Sequence, residues 1–254
     1  MQATRWDALL WARAAAVSAM AVSVAWLVAA ATDEGGVSWG ARAGRTLPLT
    51  PVCAALGAWA ALAPVRARGE ARALQALGRS PVQVSAAATA GAATIAVVAA
   101  LAIGAVRGVD VAGFYPTATH TRTWEWRAPA FVDRTRGLRV APDGTPDRLP
   151  QAASATMQGP IPPNGRLAAA LAMALAGIAL PMLVAHAALG RSAYEHDRKR
   201  RYEQVAVAAV SGAAIVASVL CFQAAAARLL PAMLGVLPPL ALLAFGWRQL
   251  VPPD

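Results

Sequence analysis

Six runs of apolar residues, each about 17 to 26 long, divide this chain, and Arg-rich or Pro/Gly-rich stretches separate them. A helix rising 1.5 Å per residue needs about 20 apolar residues to cross a hydrocarbon layer roughly 30 Å thick, so runs of this length constrain the chain to membrane-crossing helices. They extend from Ala8 to Ala31, Leu47 to Val65, Val82 to Val106, Leu167 to Leu189, Val205 to Leu230 and Met233 to Val251. Composition agrees. Of 254 residues, 57% are hydrophobic and 14% charged, which is more apolar surface than one soluble core of this size can hide. The runs are rich in Ala, and Pro48, Pro51, Pro64, Pro238 and Pro239 fall in or beside the second and the sixth. Such prolines are tolerated where neighbouring helices approach closely, which Ala and Gly permit. The expected fold is all-α transmembrane with six spans in a 3+3 order. Residues 1–106 carry the first three spans, 107–166 a small β-containing insert and linker, and 167–254 the last three.

The formal charge of +10 comes from 22 Arg and one Lys. A genome-wide preference for Arg accounts for that sum better than nucleic-acid binding does. Placement carries more information. Arg5 and Arg13 lie at the N-terminal end of the first run, Arg66, Arg68, Arg72 and Arg79 lie between the second and third, and Arg191 with Arg198, Lys199, Arg200 and Arg201 lie between the fourth and fifth. The positive-inside rule puts these loops and both termini in the cytoplasm, and residues 32–46 and 107–166 outside. The basic run Arg198 to Arg201 is expected to meet anionic headgroups. Arg5 followed by an apolar run ending in Ala29, Ala30 and Ala31 has the outline of a signal peptide. The run exceeds the usual 7 to 15 residues of such a leader, and a retained first helix is expected.

Within the insert, Thr121 to Val132 alternates Trp124, Trp126 and Ala128 with polar neighbours, and Gly137 to Ala141 precedes the turn pair Asp143-Gly144. This predicts a small β element, with Trp124 and Trp126 as packing or interface anchors. From Asp147 to Asn164, Pro, Ala, Ser and Gln predict an extended linker.

The stretch Arg66 to Pro81 places Ala67, Ala71, Leu74 and Leu77 at helical spacing opposite Arg68, Arg72 and Arg79, which predicts a short surface helix over residues 66–79. Gly78 suits its C-cap, Ser80 the N-cap of the next helix and Pro81 that helix's first position. Two readings stand side by side: an ordinary interfacial helix, or a lever through which a cytoplasmic motor moves two spans together.

The same residues resemble the permeases of lipopolysaccharide export, the LptF/LptG family, in the order Pro51, Glu70, Leu74, Ala76, Gly78 and Ser80. Pro181 near the end of the fourth span, a basic loop after it and the Pro238-Pro239 pair are similar to that family's second half. The resemblance implies a permease subunit of an ABC-type lipid exporter in a bacterial inner membrane. It would extract lipid from the outer leaflet, driven by a cytoplasmic ATPase dimer (LptB-like) that binds the ATP. Its further partners would be a second LptF/LptG-like permease or another copy of itself, and a periplasmic bridge protein (LptC/LptA-like). Glu70 would then contact the ATPase, with Arg72, Leu74, Leu77 and Gly78 completing the coupling segment. The insert is smaller than the family's periplasmic jellyroll. Where the family tends to place a cation at the outer end of the first span, this chain has Thr32, Asp33 and Glu34, and Arg42 and Arg45 are the nearest replacements to meet a lipid phosphate.

FtsX/MacB-type permeases share a similar coupling pattern, but their large domain follows the first span. A non-transporting scaffold is a further reading. The sequence lacks a G-x-x-x-x-G-K-[ST] loop, so an ATPase site of that kind is not expected in this chain. The dispersed His120, His186 and His196 predict neither a metal site nor catalysis, with His186 read as a hydrogen-bonded neutral side chain, and Cys53 and Cys221 are expected as small buried side chains.

Overall fold

The computed structural model describes residues 4–33, 37–115, 124–127, 129–133, 138–148, 161–189 and 197–250. Most of them are helical: α1 (Arg5–Thr32), α2 (Trp39–Thr46), α3 (Thr50–Ala67), α4 (Glu70–Ala76), α5 (Pro81–Ala105), α6 (Gly165–Leu189), α7 (Asp197–Ala226) and α8 (Leu237–Leu250). Among the described residues, five stretches are long and apolar enough to cross a membrane: Arg5–Thr32, Trp39–Ala67, Pro81–Ala105, Gly165–Leu189 and Val205–Ala226.

The second of these begins earlier than its apolar run, because the Ser38 hydroxyl accepts from the Ala41 amide at 3.3 Å and opens a helix where a loop was expected. Pro48 falls in a 3-10 turn, Leu47–Leu49, and Pro51 in the first turn of α3, where a missing amide hydrogen is harmless. The same chemistry delays the start of the sixth expected span. Pro231 leads into a 3-10 turn, Ala232–Val236, and Pro238 and Pro239 take the first turn of α8. The described part of that helix has 14 residues, roughly 21 Å at 1.5 Å per residue.

In space, the 3+3 order of the sequence becomes a core of four helices. α3 and α5 lie between α1 on one side and α6 on the other, while α8 packs on α6 and α7 mainly on α8 and the turn before it. Lipid tails are as apolar as Leu, so helix association needs close packing rather than hydrophobic burial alone. Glycines supply it at three crossings. A Cβ on Gly57 would run into Ser18 and the Ala14 carbonyl of α1, one on Gly91 into the Trp11 carbonyl of α1, and one on Gly177 into Ala96 of α5. Ala14, Ala54, Ala58, Ala61, Ala88 and Ala92 fill the space around them. Ser18 is buried in this seam, and its hydroxyl donates to the Ala14 carbonyl at 2.8 Å.

The insert contains an antiparallel meander in the order β1 (Trp124–Arg127), β2 (Ala130–Asp133), β3 (Leu138–Val140) and β4 (Pro146–Arg148). Arg127 pairs with Ala130 in the first hairpin, and Asp143-Gly144 turns the last, with Gly144 at φ 81° and the Asp143 carboxylate accepting from the Thr145 amide at 3.0 Å. The β element therefore forms where the alternation and turn pair placed it, and β4 takes the start of the expected linker. The side chains of Trp124 and Trp126, and residues 149–160, lie outside the described residues.

The crossing glycines generate a direct test. Gly91→Leu forces a side chain against a backbone carbonyl and should lower stability in detergent by about 3 kcal/mol. Gly212→Leu on α7 has open space around it and should be neutral or slightly stabilising. Thermal unfolding of the two purified variants beside the parent checks the contrast.

Candidate functional site

The end of the bundle that carries α4 is built from turns. The last turn of α3 ends at Ala67, and Gly69, at φ 73°, turns the chain into α4. Gly78, at φ 88°, turns it out again: its amide donates to the Gln75 carbonyl at 2.9 Å and the Arg79 amide to the Leu74 carbonyl at 3.1 Å, a Schellman closure. Immediately afterwards Ser80 and Gln83 cap each other across the first turn of α5, with Pro81 in that turn.

The surface helix expected over residues 66–79 is thus shorter, because Gly69 interrupts it in a left-handed conformation. Its expected apolar face changes with it. Ala71 is buried and Leu74 packs on the core, but Ala67 is exposed and Leu77, in the cap beyond the helix, is 82% exposed. Arg72 is exposed. Glu70 opens α4, where a negative charge suits the helix dipole, and its carboxylate accepts from the Arg68 guanidinium. That bond, helped by the Trp6 indole, holds the Glu70 carboxyl below the usual carboxylate range.

A second element joins from far along the chain. Arg79 grips Asp7 in α1 with both terminal nitrogens, at 2.9 and 3.0 Å, and its guanidinium lies 5.7 Å from the Trp6 ring centroid. Asp7 also closes a capping box with Thr4 at the start of α1. The T-x-x-D spacing before an apolar run is a readable capping signal, but nothing in sequence spacing pairs Asp7 with Arg79.

At the opposite end, Arg42 and Arg45 lie on α2 rather than in a loop, and both reach Asp33: Arg42 Nε to Oδ2 at 2.8 Å and Arg45 Nη1 to Oδ1 at 3.0 Å. The Asp33 side chain is only 5% exposed, and Arg42 also stacks 5.8 Å from the Trp26 ring centroid. A lipid phosphate would compete with that carboxylate for both arginines.

Gly40 and Gly44 of α2 meet the backbone of Gly108 and Asp110 without room for a Cβ. Arg166 donates to the carbonyls of Ile103 (2.7 Å), Val106 (2.9 Å), Arg107 (3.4 Å) and Val109 (2.9 Å), closing the C-terminal end of α5. The buried Tyr115 hydroxyl donates to the Gly165 carbonyl at 2.8 Å, and its ring meets Phe222 of α7 edge-on at 5.3 Å. Arg166 and Tyr115 therefore fasten both roots of the insert to the bundle, a role their isolated places in the sequence did not announce.

The remaining candidates are dispersed. Cys53 and Cys221 are free and half-buried in α3 and α7, less enclosed than expected, and His186 lies in the last turn of α6. His120 and His196 lie outside the described residues, as do the side chains of Arg198 to Arg201, whose backbone opens α7. An open groove of about 520 Å³ follows α5 toward α6 and α8, lined by apolar residues such as Val82, Ala93, Val97, Ile178 and Trp247. The hydroxyls of Ser85 and Thr94 in that lining donate back to carbonyls of their own helix.

No family model matches the sequence, and neither a curated protein nor a solved structure matches the chain.

Burial pushes the Tyr115 phenol up to about 12. An unfolded phenol ionises near 10, so the folded protein holds the proton more tightly and stability should fall as pH rises from 10 toward 12. Tyr115→Phe should cost about 1 kcal/mol at neutral pH through the lost hydrogen bond and flatten that alkaline decline. Thermal unfolding of both proteins at pH 8 to 11 measures the difference.

Proposed function

We propose that this chain is a permease subunit of an ABC-type exporter whose cargo is a membrane lipid, of the LptF/LptG kind, and that a separate cytoplasmic ATPase drives it through α4. The observation that carries the reading is the construction of the α4 end. A helix with a defined turn at each end stands between two membrane-length helices, buries Ala71 and packs the half-buried Leu74 against their core, and leaves Leu77 and Arg72 outward. An exposed leucine beside charged residues fits a protein partner that covers an apolar anchor and pairs with its rim. The run Pro51, Glu70, Leu74, Ala76, Gly78 and Ser80 supports the family resemblance, and the Arg-rich loops at the α4 end support its orientation toward the cytoplasm.

The cycle follows from the joint. The partner seats on α4, its closure on ATP displaces α4, and α3 and α5 carry the displacement across the membrane. A second permease, alike or different, would complete a cavity open sideways to the outer leaflet. A bridge protein outside would receive the lipid.

Affinity purification of the tagged chain from its own membranes tests the reading. A nucleotide-binding subunit should co-purify, and Leu77→Asp or Glu70→Arg should reduce its recovery about tenfold, the equivalent of 1.4 kcal/mol of affinity. Leu77 is so exposed that the yield of the chain itself should not change. Absence of any ATPase from the parent preparation, or equal recovery with both variants, would remove the proposal.

A further inference from the structure

We infer that the first turn of α1 is a working part of the α4 joint, with Asp7 and Arg79 as positioning residues that make α4, α1 and α5 move together. The inference rests on the reading of α4 as the point where an ATPase pushes. It concerns where the push goes.

Gly69 and Gly78 both adopt left-handed backbone, and beyond its adjacent residues neither has an atom within 4 Å of where a Cβ would stand. Turns of that kind are places where a pushed helix swivels instead of transmitting. Arg79 follows Gly78 directly and precedes the capping box that starts α5. Its guanidinium is held by both oxygens of Asp7, 72 residues away, and lies over Trp6. The far side of the Gly78 turn is therefore anchored to a third helix. A two-point guanidinium–carboxylate contact fixes orientation as well as distance. On the near side, Leu74 and Trp6 pack on the same core as Ala71 and Val84, and Glu70 has Trp6 among its neighbours. Thus α4 is flanked by α1 contacts at its start and just past its end. α1 in turn crosses α3 at Gly57 and α5 at Gly91 with backbone in contact. Displacement entering at α4 reaches α1 at its first turn and cannot be absorbed by rotation at Gly78 alone.

Three variants of the intact chain separate this role from helix capping. Asp7→Asn and Arg79→Gln each remove the charged pair. Thr4→Ala removes the α1 cap and leaves the pair. Each is purified with its co-purifying ATPase in nanodiscs of bacterial phospholipid, and both ATPase recovery and ATP turnover at saturating ATP are measured. The inference expects normal recovery with turnover altered about fivefold or more, the lower end of ordinary coupling, for Asp7→Asn and Arg79→Gln. The double variant should be no worse than either single one, and Thr4→Ala should behave as the parent. Normal turnover in Asp7→Asn with the ATPase bound would overturn this inference and leave the α4 reading standing, as would an equal effect of Thr4→Ala. A parent chain that brings no ATPase would overturn both.

Discussion

Backbone-to-backbone approach holds this bundle together, and its other features depend on it. At Gly57, Gly91 and Gly177 the helices touch where no side chain fits, and the surrounding core is built largely of alanines. In lipid, such contact gains dispersion and backbone polar interactions that larger residues would forfeit by holding helices apart. The helices so joined, α1, α3, α5 and α6, form the rigid part. α7 touches them chiefly through its last turns, where Phe222 and Ala225 meet Tyr115, Ala168, Ala172 and Ala232.

Rigidity at the crossings explains why polar chemistry gathers at the two ends. Asp7, Arg68, Glu70 and Arg79 collect at one end, and Asp33, Arg42, Arg45 and Arg166 at the other. Charged groups are costly within hydrocarbon, and those at the ends pair with each other or close a helix. Each cluster also draws on residues distant in sequence, so each end reports the position of more than one helix.

Much of this was legible beforehand, and the limits are instructive. Five membrane-length helices lie where apolar runs predicted them. Gly78, Ser80 and Pro81 mark their turns because each satisfies a backbone need visible in a few neighbouring residues. The reading failed where two local signals competed. Helical spacing over 66–79 concealed the break at Gly69, and hydropathy over 233–251 concealed how late α8 begins. At the α4 end, Leu74 and Gly78 could be marked from helical spacing and capping, and Glu70 only through the family resemblance. Asp7, Tyr115 and Arg166 could not, because their partners are set by helix crossings that one sequence does not encode in any short pattern.

Arg166 has one more consequence. By gathering four carbonyls at the end of α5, beside the Tyr115–Gly165 bond, it brings the departure and return points of the insert to neighbouring places on the bundle. A polypeptide loop whose two stems are tethered side by side can change length or content without prying apart the structure it springs from. The meander is in that sense an exchangeable cassette, free to diverge or be replaced by a foreign module while the helices beneath keep their register.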